Sequence, residues 1–328
     1  MNQAHLHSTL FKLQLKAKKQ FQLNNSQENE HFKNRLASNL GIIDRLFFTV
    51  YNRSEHSAHF EQLTALLFEM YKLRPETLKK IDLQRVANPS WYKSEQMAGM
   101  QLYVDRFNKN LKGVTEKLPY FEELGINFLH LMPVMKSPKG ENDGGYAVSS
   151  YHEVDARFGT NTDLLALTDA MHKKGMHVMM DFVVNHTSDE HEWAKKAKKG
   201  DKKYQDFYYV FPNRVMPDLF DASMPEVFPE IAPGNFTFDE DMQQWVMTVF
   251  NKFQWDLNYT NPEVFNEMFK NLMLMSNLGV DVIRFDALAF LWKKIGTISQ
   301  NLPEAHILVQ LFRMCAQIVA PGMVFLAE

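Results

Sequence analysis

Residues 279–290 read GVDVIRFDALAF, and residues 322–328 read GMVFLAE. Each is a short apolar run bounded by glycine, and each carries a carboxylate at its C-terminal end, Asp286 in the first and Glu328 in the second. The stretch between them, PEAHILVQLFRMCAQIVA over 303–320, has the length and apolar spacing of a helix. Strand, helix, strand in this order predicts two parallel strands whose C-terminal ends lie side by side. In a β/α barrel such ends open into a shared mouth. Two carboxylates facing each other there are the minimal equipment for cleaving a glycosidic bond.

Side chains alternate along a strand. Val280, Val282, Arg284 and Asp286 therefore share one face, and Asp281, Ile283 and Phe285 the other. With the first set turned inward, Arg284 sits below Asp286, and its fixed charge is expected to favour the ionised carboxylate. Glu328 is expected to do the opposite, holding a proton through burial and the neighbouring carboxylate.

Outward from this pair the alternation continues. MQLYVDRF (100–107) reads as a first strand, INFLHLMP (126–133) as a second and MHVMMDFVVNH (176–186) as a third. LPYFEELG (118–125) and DLLALTDAMHKKG (163–175) read as helices, the latter starting at Thr162. PEVFNEMFKNLMLMSNLG (262–279) is the helix before VDVIRFDA. The fold class is thus α/β: an incomplete (β/α)8 TIM barrel holding its first five strands, with the chain stopping at the end of the fifth. Residues 1–90 read as an all-helical domain, with Phe60, Leu63, Leu67 and Met70 at helical spacing and Leu66 and Leu73 widening the stripe. Barrel sequence occupies 91–184 and 259–328. Between them, 185–258 reads as an irregular inserted subdomain over the mouth, rich in proline, aspartate and aromatics.

Composition excludes more than it assigns. The 328 residues are 45% hydrophobic and 23% charged with net charge −3, so no nucleic-acid or acidic-lipid partner is expected. The opening MNQAHLHSTLFKLQLKAKKQ has no apolar leader and no run is long enough to span a membrane, which makes a cytoplasmic enzyme the expectation. The single cysteine, Cys315, lies in an apolar helix and reads as core. The basic run 195–203 reads as a solvated helix end.

Three further positions carry candidate chemistry. DFVVNHT (181–187) ends the third strand, where His186 can offer a neutral imidazole to a hydroxyl. Asp143 precedes Gly144 and Gly145, which permit a tight turn near a ligand, and Tyr146 offers a ring face. His186 and Asp143 fall on loops, so their loss is expected to touch turnover and not folding. Asp143, Asn185 and Asp189 are conceivable metal ligands, but no ligand spacing singles them out and no metal is assigned.

DGGYAVSSY (143–151), DFVVNHTSDEHEW (181–193), GVDVIRFDALAF and the terminal AE together resemble the signature regions of the alpha-amylase superfamily, glycoside hydrolase family 13. Residues 211–238, 245–262 and 290–306 and the helical N-terminus narrow the resemblance to the amylosucrase subfamily. The resemblance implies glucosyl transfer from a sucrose donor to an α-1,4-glucan acceptor without an organic cofactor, with Asp286 as nucleophile and Glu328 as general acid/base. It also implies that Asp143, Tyr146, His186, Phe250, Gln254 and Arg284 surround the donor glucosyl ring. The form FLAE departs from the subfamily's usual lysine–serine–glutamate ending. The same resemblance places a His–Asp pair with a third carboxylate beyond Glu328, so residues 1–328 alone are expected not to turn over sucrose. A sucrose hydrolase is the alternative within the subfamily, and a non-catalytic sugar-binding or assembly module is the alternative outside it.

Overall fold

A computed structural model describes residues 26–328 together with Phe11 and Leu15. The opening stretch, read above as having no apolar leader, otherwise lies outside the described residues. Three helices come first: α1 (Gln27–Val50), α2 (Arg53–Leu73) and α3 (Glu76–Ala87). Side chains of Ser26 and Asn52 accept backbone N–H groups at the starts of α1 and α2. The expected stripe Phe60, Leu63, Leu67 and Met70 is buried on α2, whereas Leu73 is exposed.

The barrel strands follow. β1 (Gly99–Leu102) is shorter than the strand expected over 100–107, because the chain turns at Tyr103 into α4 (Val104–Asn108). Its partner β2 (Phe128–Leu131) runs on to Met132, whose N–H reaches the Leu102 carbonyl. Helix α5 (Asn161–Lys173) starts one turn position earlier than expected, at Thr160. The Thr160 hydroxyl accepts the Asp163 N–H while the Asp163 carboxylate accepts the Thr160 N–H, a reciprocal cap that Thr162 lacks the partner to make.

β3 (His177–Val183) leads into the segment expected to be irregular, which is instead ordered. β4 (His186–Ser188) is followed by α6 (Glu192–Lys198), β5 (Val210–Phe211), α7 (Val215–Asp221), β6 (Phe236–Asp239), β7 (Gln244–Met247) and β8 (Gln254–Asp256). β5, β7 and β6 form an antiparallel sheet in that order over an apolar cluster that includes Tyr209, Phe220, Phe236 and Met247. Aromatic density in this stretch is the material of that small core. β8 then returns antiparallel to β4, with Asp256 opposite His186 and Gln254 opposite Ser188.

Helix α8 (Pro262–Ser276), β9 (Val282–Asp286), α9 (Pro303–Val319) and β10 (Val324–Ala327) complete the described chain. The main sheet is parallel and its order is β1-β2-β3-β9-β10, the order of the sequence. The five strands form a truncated TIM barrel with helices on the outside. Cys315 is fully buried on α9.

The N-terminal helices share the barrel's core. A continuous buried cluster runs from Phe32 on α1 to Met323 before β10. Arg35 donates to the Ile318 carbonyl, and the Tyr51 hydroxyl to the Tyr259 carbonyl. Arg74 and Asp82 form a buried bidentate pair at 2.6 and 2.9 Å, from which Arg74 also reaches Ser276 and Asp82 accepts the Gly322 N–H. Removing one charge of a buried pair strands the other. Arg74→Met is expected to cost about 3–5 kcal/mol, read as a fall of roughly ten degrees in melting temperature. Arg74→Met/Asp82→Asn should recover much of it, and equal loss in both variants would show that packing, not charge, governs this contact.

Candidate active site

The register of β3, β9 and β10 assembles the site. Arg284 lies directly beside Asp181 on β3 and Leu326 on β10. Its guanidinium forks to the Asp181 carboxylate and the Glu328 carboxylate, and donates to the Tyr146 hydroxyl at 3.3 Å. Asp181 is held from its other oxygen by His130 Nε2 at 3.0 Å. Phe182 and Phe285 meet edge to face on the opposite side of the same strands. The alternation expected for VDVIRFDA therefore holds, with Arg284 turned into the barrel.

The electrostatic expectation does not hold. Arg284 makes no hydrogen bond to Asp286; Asp181, Tyr146 and Glu328 take it. Burial, then the charge of Glu328, push the Asp286 carboxyl up to about 7, against the smaller opposing effect of Arg284. Glu328 is not the buried group expected: it is about half exposed and paired to the cation. Ala287, directly after Asp286, takes the left-handed conformation with φ 57°, which turns the chain sharply away from the strand and leaves Asp286 at the rim.

A second group comes from the insertion. Gln254 on β8 donates one amide proton to Asp143 at 3.1 Å and the other to His186 Nε2 at 3.0 Å. Its carbonyl accepts from the Asn251 backbone and side chain, which fixes the amide's orientation. Asp143 has φ 52° and Gly144 and Gly145 follow with φ 64° and 100°. A Cβ at Gly145 would stand 2.9 Å from Pro133, so the turn needs glycine there.

His186 is not a loop residue. It belongs to β4, is 1% exposed, and packs 5.0 Å from the Phe250 ring, which also meets Phe228 and Phe290. Burial lowers its pKa to about 4, so the imidazole is neutral at pH 7. The expectation that its loss would spare the fold is therefore corrected: alanine there would leave a cavity and an unpaired Gln254 donor. Tyr146 is half-buried, its hydroxyl tied to Arg284.

The eight sequence-derived site residues thus fall into two groups. Arg284 joins Tyr146 and Glu328 beneath Asp286, and Gln254 joins Asp143 and His186, against whose ring Phe250 packs. The sequence reading missed Asp181 as the partner of Arg284, His130 as the partner of Asp181, and Asp256, Lys293 and Phe290. Asp181 carried a signal, being an inward-facing carboxylate on β3; Lys293, in a loop, carried none. A groove of about 770 Å³ elsewhere, lined by His152, Asp155, Arg157 and His191 among others, contains none of the eight. Among the described residues no group of three or more His, Cys, Asp or Glu could hold a metal ion. No helix among them is long and apolar enough to cross a membrane.

Comparison with known proteins gives the family. Residues 89–327 match the family model for the alpha amylase catalytic domain. The chain belongs to the alpha-amylase family. It is 38% identical over 223 residues to the trehalose synthase/amylase TreS of Mycolicibacterium smegmatis, covering 67% of this chain and 36% of that one. It is 34% identical to an oligo-1,6-glucosidase of Heyndrickxia coagulans, covering 60% and 35%. Among solved structures, trehalulose synthase MutB of Pseudomonas mesoacidophila superposes with TM-score 0.62 at 27% identity, covering 71% of this chain and 44% of that one. A MutB variant in complex with the substrate sucrose superposes with TM-score 0.62 at 27% identity, covering 73% and 45%. The chain thus spans well under half the length of these relatives.

The raised Asp286 pKa has a consequence for stability. An unfolded aspartate releases its proton near 3.8, and the folded one keeps it to about 7. Between those values the folded state holds the extra proton, so stability falls as pH rises through that window. Asp286→Asn removes this loss. Its melting temperature is expected to exceed wild type by a few degrees at pH 8 and to match it near pH 3.5. A variant less stable than wild type at pH 8 would refute the assignment.

Proposed function

We propose that the protein is a retaining glucosyltransferase that cleaves sucrose and passes the glucosyl unit to an α-1,4-glucan, releasing fructose. The observation that carries this reading is the pair Asp286 and Glu328 at adjacent parallel strand ends, electrostatically coupled and sharing one guanidinium neighbourhood. The amylosucrase-like motifs supply the donor and acceptor.

In this mechanism Glu328 protonates the fructosyl oxygen while ionised Asp286 attacks the anomeric carbon. A covalent glucosyl-enzyme forms. The 4-hydroxyl of a glucan end then displaces it, with Glu328 taking the proton, and two inversions give net retention. Asp143 and His186, held by Gln254, offer an acceptor carboxylate and a neutral imidazole to the hydroxyls of the donor ring. Phe250 and Phe290 provide apolar faces at the mouth. Arg284 keeps the Asp181 charge compensated below the reacting centre.

A second reading, isomerisation with the glucosyl unit returned to the released sugar, draws on the trehalose synthase and sucrose-binding relatives. It uses the same two carboxylates and differs only in the acceptor. Incubating the full chain with sucrose and glycogen separates them. Chain extension with free fructose supports transfer to glucan; a rearranged disaccharide without extension supports isomerisation, and glucose with fructose alone supports hydrolysis.

The assignment of roles is tested by two variants. Asp286→Asn is expected to lower turnover by at least about 10⁴-fold with sucrose still bound. Glu328→Gln should lose most activity on sucrose but retain much of it on α-glucosyl fluoride, whose leaving group needs little protonation. Equal loss on both donors would remove Glu328 from the acid role.

A further inference from the structure

Lys293 lies in the loop after β9, seven residues beyond Asp286, and its side chain is fully buried. A buried ammonium must satisfy three N–H donors. Here the three acceptors come from three separate segments. One is the Phe290 carbonyl, in the turn just after Asp286. One is Asn185 Oδ1 at 2.7 Å, on the residue preceding His186. The third is Asp256 Oδ1 at 2.8 Å, on β8 two residues from Gln254. Asp256 is also fully buried, accepts Asn185 Nδ2 at 2.7 Å and, from its other oxygen, the Val249 N–H at 2.8 Å.

We propose that Lys293 is a positioning residue that clamps the loop following Asp286 to the two strands bearing His186 and Gln254, and cancels the Asp256 charge beside the imidazole. Without it the Asp256 carboxylate would stand unpaired and desolvated behind His186. The groups facing His186 are Asp256 on β8, Asp143 on the loop after β2, Lys293 on the loop after β9, the Gln254 and Asn185 amides, the Phe250 ring and the Tyr146 backbone. Asp256 and Asp143 raise the imidazole pKa, whereas burial and Lys293 lower it. A neutral His186 accepts from Gln254; a protonated one would turn a donor toward that amide and break the link to Asp143. The lysine thus couples the position of the Asp286 loop to the protonation state of the donor pocket.

The inference rests on the sugar-pocket reading above, and the test separates the two. In the full chain, the His186 ring is titrated by NMR without donor, its signal identified by loss in His186→Gln. Lys293→Met is expected to raise the midpoint by about one pH unit or more above wild type. Lys293→Met/Asp256→Asn, which removes both charges, should return it to within about half a unit of wild type. With sucrose at pH 7, kcat/KM of the single variant should fall by roughly tenfold or more. Should Lys293→Met not fold, Lys293→Gln, which keeps two donors, reads the same midpoint. An unmoved midpoint in a folded single variant, the same rise in the double variant, or failure of both neutral variants to fold would overturn the proposal. Absence of sucrose turnover in wild type, with the titration behaving as stated, would sink only the donor assignment.

Discussion

A guanidinium inside a barrel dictates what may stand around it. Arg284 projects inward from β9, where apolar layers normally fill a barrel of this kind, and its charge has to be matched in place. Asp181 meets it from the neighbouring position of β3, Glu328 from the end of β10 and the Tyr146 hydroxyl from the loop after β2. A slip of one residue in the register of either strand pair would turn Arg284 or its partner to the outer face. Charge matching therefore reinforces the apolar pattern that pairs the strands, and the same pairing brings Asp286 and Glu328 to one rim. The site is a consequence of register before it is a consequence of any loop.

The insertion solves a different problem, that of holding polar groups rigidly above an open strand end. β4 and β8 make a short antiparallel pair, so residues that follow β3 and residues some seventy positions later sit opposite one another. Gln254 can then use both amide protons, one on Asp143 and one on His186. Burial keeps the imidazole neutral, and only a neutral ring can accept that proton. Three consecutive positive-φ residues at Asp143–Gly145 bring the carboxylate within reach, at a strain that the Asn142 side-chain cap on the Gly145 N–H helps to hold.

Much of this was legible in the chain. Parallel alternation, the inward parity of Arg284 and the carboxylates at two strand ends follow from period-two patterning and helix spacing, which are local properties. What escaped reading depends on distant partners. MQLYVDRF looks like a strand throughout, yet the chain leaves the sheet after Leu102 and turns at Tyr103 into α4. The insertion looked irregular because its strands are short and its aromatics are spaced for a small core of their own. The ionisation of Asp286 is not legible locally, because the cation two residues away in sequence is held in space by Asp181, Tyr146 and Glu328. Lys293 gave no signal at all, since nothing local distinguishes a buried lysine from a solvated one.

Strand β9 and the residue before it show how far environment, rather than residue type, assigns chemistry. Asp281 and Asp286 lie five positions apart on one short segment, at its two ends. Burial alone would raise Asp281, but His172, Arg85 and the Val178 N–H surround it and hold its pKa below the usual value. It is a permanent anion, spent on fastening helix α3 to the base of the barrel. Asp286 is half-buried, and it has an anion for a neighbour and a cation already engaged elsewhere, so its proton is weakly committed near neutral pH. A carboxylate whose charge is fully compensated has little to gain from a passing electrophile. One left uncompensated at the rim gains most when a positive anomeric carbon develops beside it, and in the proposed mechanism that difference favours Asp286 over Asp281 as the reacting end of the strand.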